Sequence, residues 1–138
     1  MLLSEQSALV TGASDRLGAQ IARTLHQNGA NLIIHYRRSK DGAERLVDEL
    51  NATRADSARA FAADLSQLGE ITMLAQQACD AFGGLQLLVN NASSYYPTPF
   101  GEIDEQVYDD LFASNFKAPL FLAQACREAL QERGGSII

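Results

Sequence analysis

Five short apolar runs alternate with four stretches of helical periodicity, and that alternation narrows the folds open to this chain. The runs cover residues 8–10, 32–36, 59–62, 87–90 and 136–138; the helical stretches cover 17–28, 41–54, 68–82 and 104–131. A short run without polar alternation suits a strand buried on both faces, and strands separated by whole helices pair in parallel. Right-handed crossovers then place helices on both sides of the sheet. The expected fold class is α/β, a doubly wound (Rossmann-type) parallel sheet with strand order 3-2-1-4-5. Gly29, Gly83, Gly84, Gly134 and Gly135 fall where these helices should end. A length of 138 residues suits one domain with a real core, and no repeat, low-complexity tract or Pro-rich linker marks a second.

The first strand runs directly into Thr11-Gly12-Ala13-Ser14-Asp15-Arg16-Leu17-Gly18. A strand, a Gly-rich turn and a helix N-terminus form a corner where free backbone N–H groups and the positive end of the helix dipole converge, which suits a pyrophosphate. Only Gly12 and Gly18 of this turn are glycines, so it departs from the G-x-G-x-x-G pattern. Arg16 stands where such turns often carry a third glycine, adding a permanent charge and five N–H donors.

Roughly 20 residues later, at the end of the second strand, the chain reads His35-Tyr36-Arg37-Arg38-Ser39-Lys40. An acidic residue at this place binds a ribose diol, whereas cations accept a 2′-phosphate. No Asp or Glu precedes Asp41 here, so NADP(H) is expected over NAD(H). Asp64-Leu65, past the third strand, reads equally as an adenine contact or as the cap of the next helix. After the fourth strand comes Asn90-Asn91-Ala92-Ser93-Ser94-Tyr95-Tyr96-Pro97-Thr98-Pro99, with small and amide groups where a cofactor would pass and two tyrosines on which a flat heteroaromatic ring could stack. Asn115 precedes Pro119 in the stretch read as one long fourth helix. Proline there removes a helical hydrogen bond and crowds the Asn115 carbonyl, which could then hold a water.

The net charge of −6 argues against a nucleic-acid partner. No window approaches the ~18 apolar residues of a membrane span, and no secretory leader is recognisable. Cys79 and Cys126 lack C-x-x-C spacing and read as reduced structural thiols. These features together predict a cytoplasmic protein without membrane partners.

In their order along the chain these motifs resemble the short-chain dehydrogenase/reductase family, over its whole length. Arg16, the segment 35–39 and the segment 91–99 are most similar to the pteridine reductases. The resemblance implies that Gly12, Arg16, Leu17 and Gly18 meet the cofactor phosphates, with Arg16 also touching a pterin. It implies that Tyr36, Arg37, Arg38 and Ser39 hold the 2′-phosphate with His35 nearby, and that Asp64 and Leu65 line the adenine. Asn91, Ala92 and Ser93 would follow the ribose and nicotinamide, Ser93 also reaching the substrate. Tyr95 would stack on the pterin, at a position where that subfamily often has Phe. Asn115 matches the family's catalytic asparagine.

The family's catalytic Tyr and Lys belong to a helix after the fifth strand, and residues 1–138 do not contain them. The Tyr36-x-x-x-Lys40 pair has the spacing but lies beside the expected 2′-phosphate site. Residues 1–138 are therefore expected to be a single NADP-binding domain cut within its fifth strand, inactive alone. The expected function is NADPH-dependent reduction of a pterin-like substrate. The alternatives are a carbonyl reductase of the 3-oxoacyl-thioester type and a non-catalytic NADP-binding module. The resemblance also implies a homo-oligomer, a tetramer at full length, and Val107, Leu111, Phe112, Leu122 and Cys126 give the fourth helix more apolar surface than one sheet face needs.

Overall fold

Side chains on successive strand residues point to opposite faces, so a strand apolar at every position must be covered on both sides. In the computed structural model, which describes residues 2–138, β1 (Ser7–Val10) and β2 (Asn31–Tyr36) meet that requirement. Ala8, Val10, Leu32 and Ile34 face one core with α1 (Arg16–Gln27) and α2 (Lys40–Thr53). Leu9 and Ile33 face the other, with α3 (Leu68–Ala81) and Leu122 and Cys126 of α5 (Ala118–Glu132). Strands β3 (Ala58–Ala62), β4 (Leu87–Val89) and β5 (Ser136–Ile137) complete a five-stranded parallel sheet. Its order is β3-β2-β1-β4-β5, the expected doubly wound Rossmann-type arrangement. Order reverses between β1 and β4, which places a crevice at the carboxyl ends of those strands.

One expectation is corrected. The stretch from 104 to 131 is not a single helix. It divides into α4 (Glu105–Phe112), a π-turn (Ala113–Lys117) and α5. Pro119 has no N–H for the Asn115 carbonyl, and upstream of it the backbone widens until the Ala118 N–H donates to Ala113, five residues back. Asp104 caps α4, its carboxylate accepting the Val107 N–H at 2.8 Å. Leu122 and Cys126 belong to the core rather than to a surplus face. The exposed apolar surface instead runs along Tyr108, Phe112 and Phe116, whose rings lie 4.3 Å and 6.3 Å apart in sequence order. No helix among the described residues is long and apolar enough to cross a membrane.

Candidate functional site

The turn between β1 and α1 is built around Thr11. Its buried hydroxyl donates to the Val89 carbonyl at 3.3 Å and accepts the N–H groups of Asn91 and Ala92 at 3.0 and 2.9 Å. The Asn91 amide donates back to the Thr11 and Gly12 carbonyls at 2.9 and 3.1 Å. Turn and β4 loop are thus fastened across the crevice. Gly18 is required by that closeness: a Cβ there would lie 2.3 Å from the Gly12 carbonyl oxygen and 2.6 Å from the Asn91 amide nitrogen.

Arg16 opens α1 at φ +48°, a left-handed conformation that favours glycine. This is the backbone reason a third glycine is expected here, and the chain holds an arginine in that strained position. Asp15 precedes the helix without a side-chain capping bond, so the N–H groups of the first turn are not sealed off by a cap. The helix dipole and these uncapped N–H groups suit this end of the cleft to an anion.

A cleft of about 870 Å³ opens over these elements. Gly12, Arg16, Leu17, Gly18, His35, Tyr36, Arg37, Arg38, Ser39, Asp64, Leu65, Asn91, Ala92 and Ser93 all line it. A smaller recess of about 390 Å³ continues from it past Arg38, Ser39, Lys40 and Arg45 at the start of α2. Gly42 lets α2 come this near, since a Cβ there would lie 2.8 Å from the Ser14 carbonyl.

Arg37 and Asp64 pair across the cleft at 2.8 Å. Asp64 is not the cap of α3, which follows Gln67; its carboxylate accepts from the Ser66 N–H at 2.9 Å and the Ser66 hydroxyl at 2.8 Å. The backbone bond from Ser66, then its hydroxyl and Arg37, hold the Asp64 carboxyl below its ordinary range against the opposing effect of burial.

Two predicted residues stand apart from the lining. Tyr95 is 90% exposed and does not line the cleft, whereas Tyr96 does. Partial burial, then the nearby carboxylate of Asp110 and, more weakly, that of Asp104, push the Tyr96 phenol above its usual range. Asn115 sits in the π-turn and donates its side-chain N–H to the Ser94 carbonyl at 2.9 Å. The neighbouring Ser114 hydroxyl accepts the Ser94 N–H at 3.2 Å. Both polar groups of one loop residue are held by successive residues of the widened turn. From the sequence Thr11, Ser114 and Asp110 carry no role, and Tyr96 reads together with Tyr95 as a stacking face. Thr11 and Ser114 flank residues that do carry one, and adjacency was the available signal. Tyr36 and Lys40 lie at the α2 end of the cleft, where Lys40 pairs with Glu44 at 3.5 Å.

The sequence model of a family described as short chain dehydrogenase matches residues 6–138. Pteridine reductase 1 of Leishmania tarentolae is 40% identical over 149 aligned positions, covering 86% of this chain and 52% of that protein. The 3-oxoacyl-[acyl-carrier-protein] reductase of Staphylococcus aureus is 36% identical over 134 positions, covering 96% of this chain and 54% of that protein. A solved short chain dehydrogenase from Burkholderia cenocepacia, in complex with NADP, superimposes with a TM-score of 0.90 at 31% identity, over 94% of this chain and 53% of that one. The chain spans about half the length of the curated relatives it matches.

Proposed function

The chain belongs to the short-chain dehydrogenase family, and within it we propose that the whole protein is an NADPH-dependent reductase of pterin-like substrates. The observation that carries this reading is one cleft lined at once by Arg16, by Arg37 and Arg38, and by Ser93. The donor set fits NADP(H). The first turn of α1 has no side-chain cap, suiting a pyrophosphate, and the cations after β2 suit a 2′-phosphate. When bound, the cofactor supplies a hydride to a C=N of the substrate ring.

This chain's residues hold and orient. Gly12, Leu17 and Gly18 bring backbone close to the phosphates, and Arg38 and Ser39 take the 2′-phosphate together with Arg37. Asp64 and Leu65 border the adenine, while Asn91, Ala92 and Ser93 lie along the ribose and nicotinamide. Arg16 reaches both ligands, and Tyr95 turns inward to stack on the pterin once it enters. Asn115 keeps loop and π-turn in register and offers its carbonyl to a water. The proton would come from a Tyr–Lys pair that these 138 residues do not contain, so they bind without turning over. The Tyr108, Phe112 and Phe116 face suits association of identical subunits into a tetramer. A reducing, cytoplasmic setting suits the two free thiols.

The second reading is reduction of a 3-oxoacyl thioester, favoured by the similarity to the staphylococcal reductase. Steady-state oxidation of NADPH by the full-length protein, with dihydropterins, dihydrofolate and a 3-oxoacyl thioester as substrates, separates the two. The expected result is turnover of a dihydropterin and preference for NADPH over NADH. Turnover of the thioester alone would replace the first reading with the second.

A further inference from the structure

His35, near the end of β2, is 2% exposed, and both of its ring nitrogens are used inside the protein. Nδ1 accepts the Gly12 N–H at 3.0 Å, and Nε2 lies 3.0 Å from the Ala63 carbonyl. An amide N–H only donates and a carbonyl only accepts, so the ring is neutral with its proton on Nε2. Gly12 belongs to the turn that faces the phosphates, and Ala63 leads into Asp64 beyond β3. One imidazole therefore joins the two walls of the cleft. Backbone bonds run alongside it, Ala13 N–H to the His35 carbonyl at 2.9 Å and Ala63 N–H to the Tyr36 carbonyl at 3.1 Å.

Resting on the NADP(H) reading above, we infer that His35 is a positioning residue for cofactor binding, which fixes the phosphate-facing turn by accepting the Gly12 N–H. Gly12 sits at φ +61° and has no side chain to limit its rotation, so the direction of the following N–H groups depends on what holds its peptide. The acceptor at Nδ1 holds the N–H side of that peptide, as the Asn91 amide on the Thr11 carbonyl holds its C=O side. A proton on Nδ1 would set a donor against a donor, and the turn would lose one of its two holds.

The charged groups that share the cleft lining with His35 are Asp15 and Arg16 from the turn and α1, Arg37 and Arg38 after β2, and Asp64 after β3, with Glu70 of α3 accepting the Asp64 N–H. None is among the causes of its shift: burial lowers the imidazole pKa, and the bond to Ala63 opposes it. At neutral pH the ring is a fixed acceptor.

The test compares wild type, His35→Asn and His35→Gln in the full-length protein, with NADP+ binding followed by calorimetry at pH 8. An Asn amide oxygen occupies the place of Nδ1 and can accept from Gly12. A Gln amide reaches the place of Nε2 and serves Ala63 only. His35→Asn is expected to bind within about threefold of wild type at pH 8, and His35→Gln at least about tenfold more weakly, the scale of leaving a buried N–H without its acceptor. Equal affinities of the Asn and Gln variants overturn the inference while leaving the cofactor reading intact. A wild type that binds no NADP+ overturns both.

Discussion

The two halves of the cleft are held in different ways. The half proposed for the cofactor's adenosine is braced in three dimensions: Thr11 and Asn91 fasten the turn to β4, His35 fastens it to β3, and Arg37 meets Asp64. The half proposed for the substrate is a loop held at Ser94 by the π-turn, with Tyr95 beside it in solvent. A preorganised half spends little of its binding energy on ordering itself, whereas a half that must swing an aromatic ring inward loses part of its stacking energy to that step. On the proposed reading, the braced half is the frame and the loop half the part that a second ligand would have to order.

The sharpest way to break this contrast is to loosen the braced half. Gly18→Ala inserts a methyl 2.3 Å from the Gly12 carbonyl, where backbone and not a flexible side chain must yield. Overpacking of this kind costs about 3 kcal/mol or slightly more. Urea unfolding should show that loss together with failure to retain NADP+; an unchanged midpoint would mean that turn and loop are less tightly coupled than their contacts indicate.

The complementary change belongs to the open half. Tyr95→Ala should weaken dihydropterin binding by about 1–3 kcal/mol, on the scale of aromatic stacking against a base. It should leave both unfolding free energy and NADP+ affinity unchanged, because a ring 90% exposed packs on nothing. Calorimetry with each ligand separates the two effects. A loss of NADP+ affinity would show that the halves are not independent.

The same contrast governs what could be read from the sequence. Sheet order was legible because buried strands leave continuous apolar runs, and the residues lining the braced half were legible because they follow the carboxyl ends of those strands. The π-turn was not, since Pro119 announces a defect without saying whether the helix kinks or widens. The roles of Tyr95 and Tyr96 were not separable either: adjacent residues with the same ring differ only in which way an irregular loop faces. His35 looked like one more member of a basic cluster, and only the register of β2 against β3 shows it turned inward.

Arg16 sits on the border between the halves, and its backbone supplies a smaller, opposite-signed effect. Arg16→Gly removes an L-residue from φ +48°, a conformation that costs roughly 1–2 kcal/mol, but adds flexibility to the unfolded chain. The net expectation is a gain in stability of at most about 1 kcal/mol, with weaker binding of both NADP+ and dihydropterin. Thermal unfolding and binding should therefore move in opposite directions. A variant that loses stability would show that the arginine side chain contributes to the fold itself.

The smallest effect tests how much of the bracing is electrostatic. Arg37 and Asp64 are a partly exposed pair, with side chains 54% and 29% accessible, so a double-mutant cycle through Arg37→Ala and Asp64→Asn should give a coupling of only about 0.2–1 kcal/mol. Its pH dependence has a definite sign. Asp64 is held below its ordinary carboxylate value, so it stabilises the fold above about pH 4 and loses that contribution as pH falls through its lowered folded pKa. His35 is also lowered, by burial, but from an ordinary value of about 6.5; the unfolded chain takes up its proton first, and stability declines as pH falls below that point. Unfolding free energies measured from pH 8 to pH 3 should therefore show an upper step that His35→Asn diminishes and a lower one that Asp64→Asn diminishes. If Asp64→Asn instead removed the upper step, the ion pair rather than the buried imidazole would be joining the cleft walls, and the braced half would owe its order to charge.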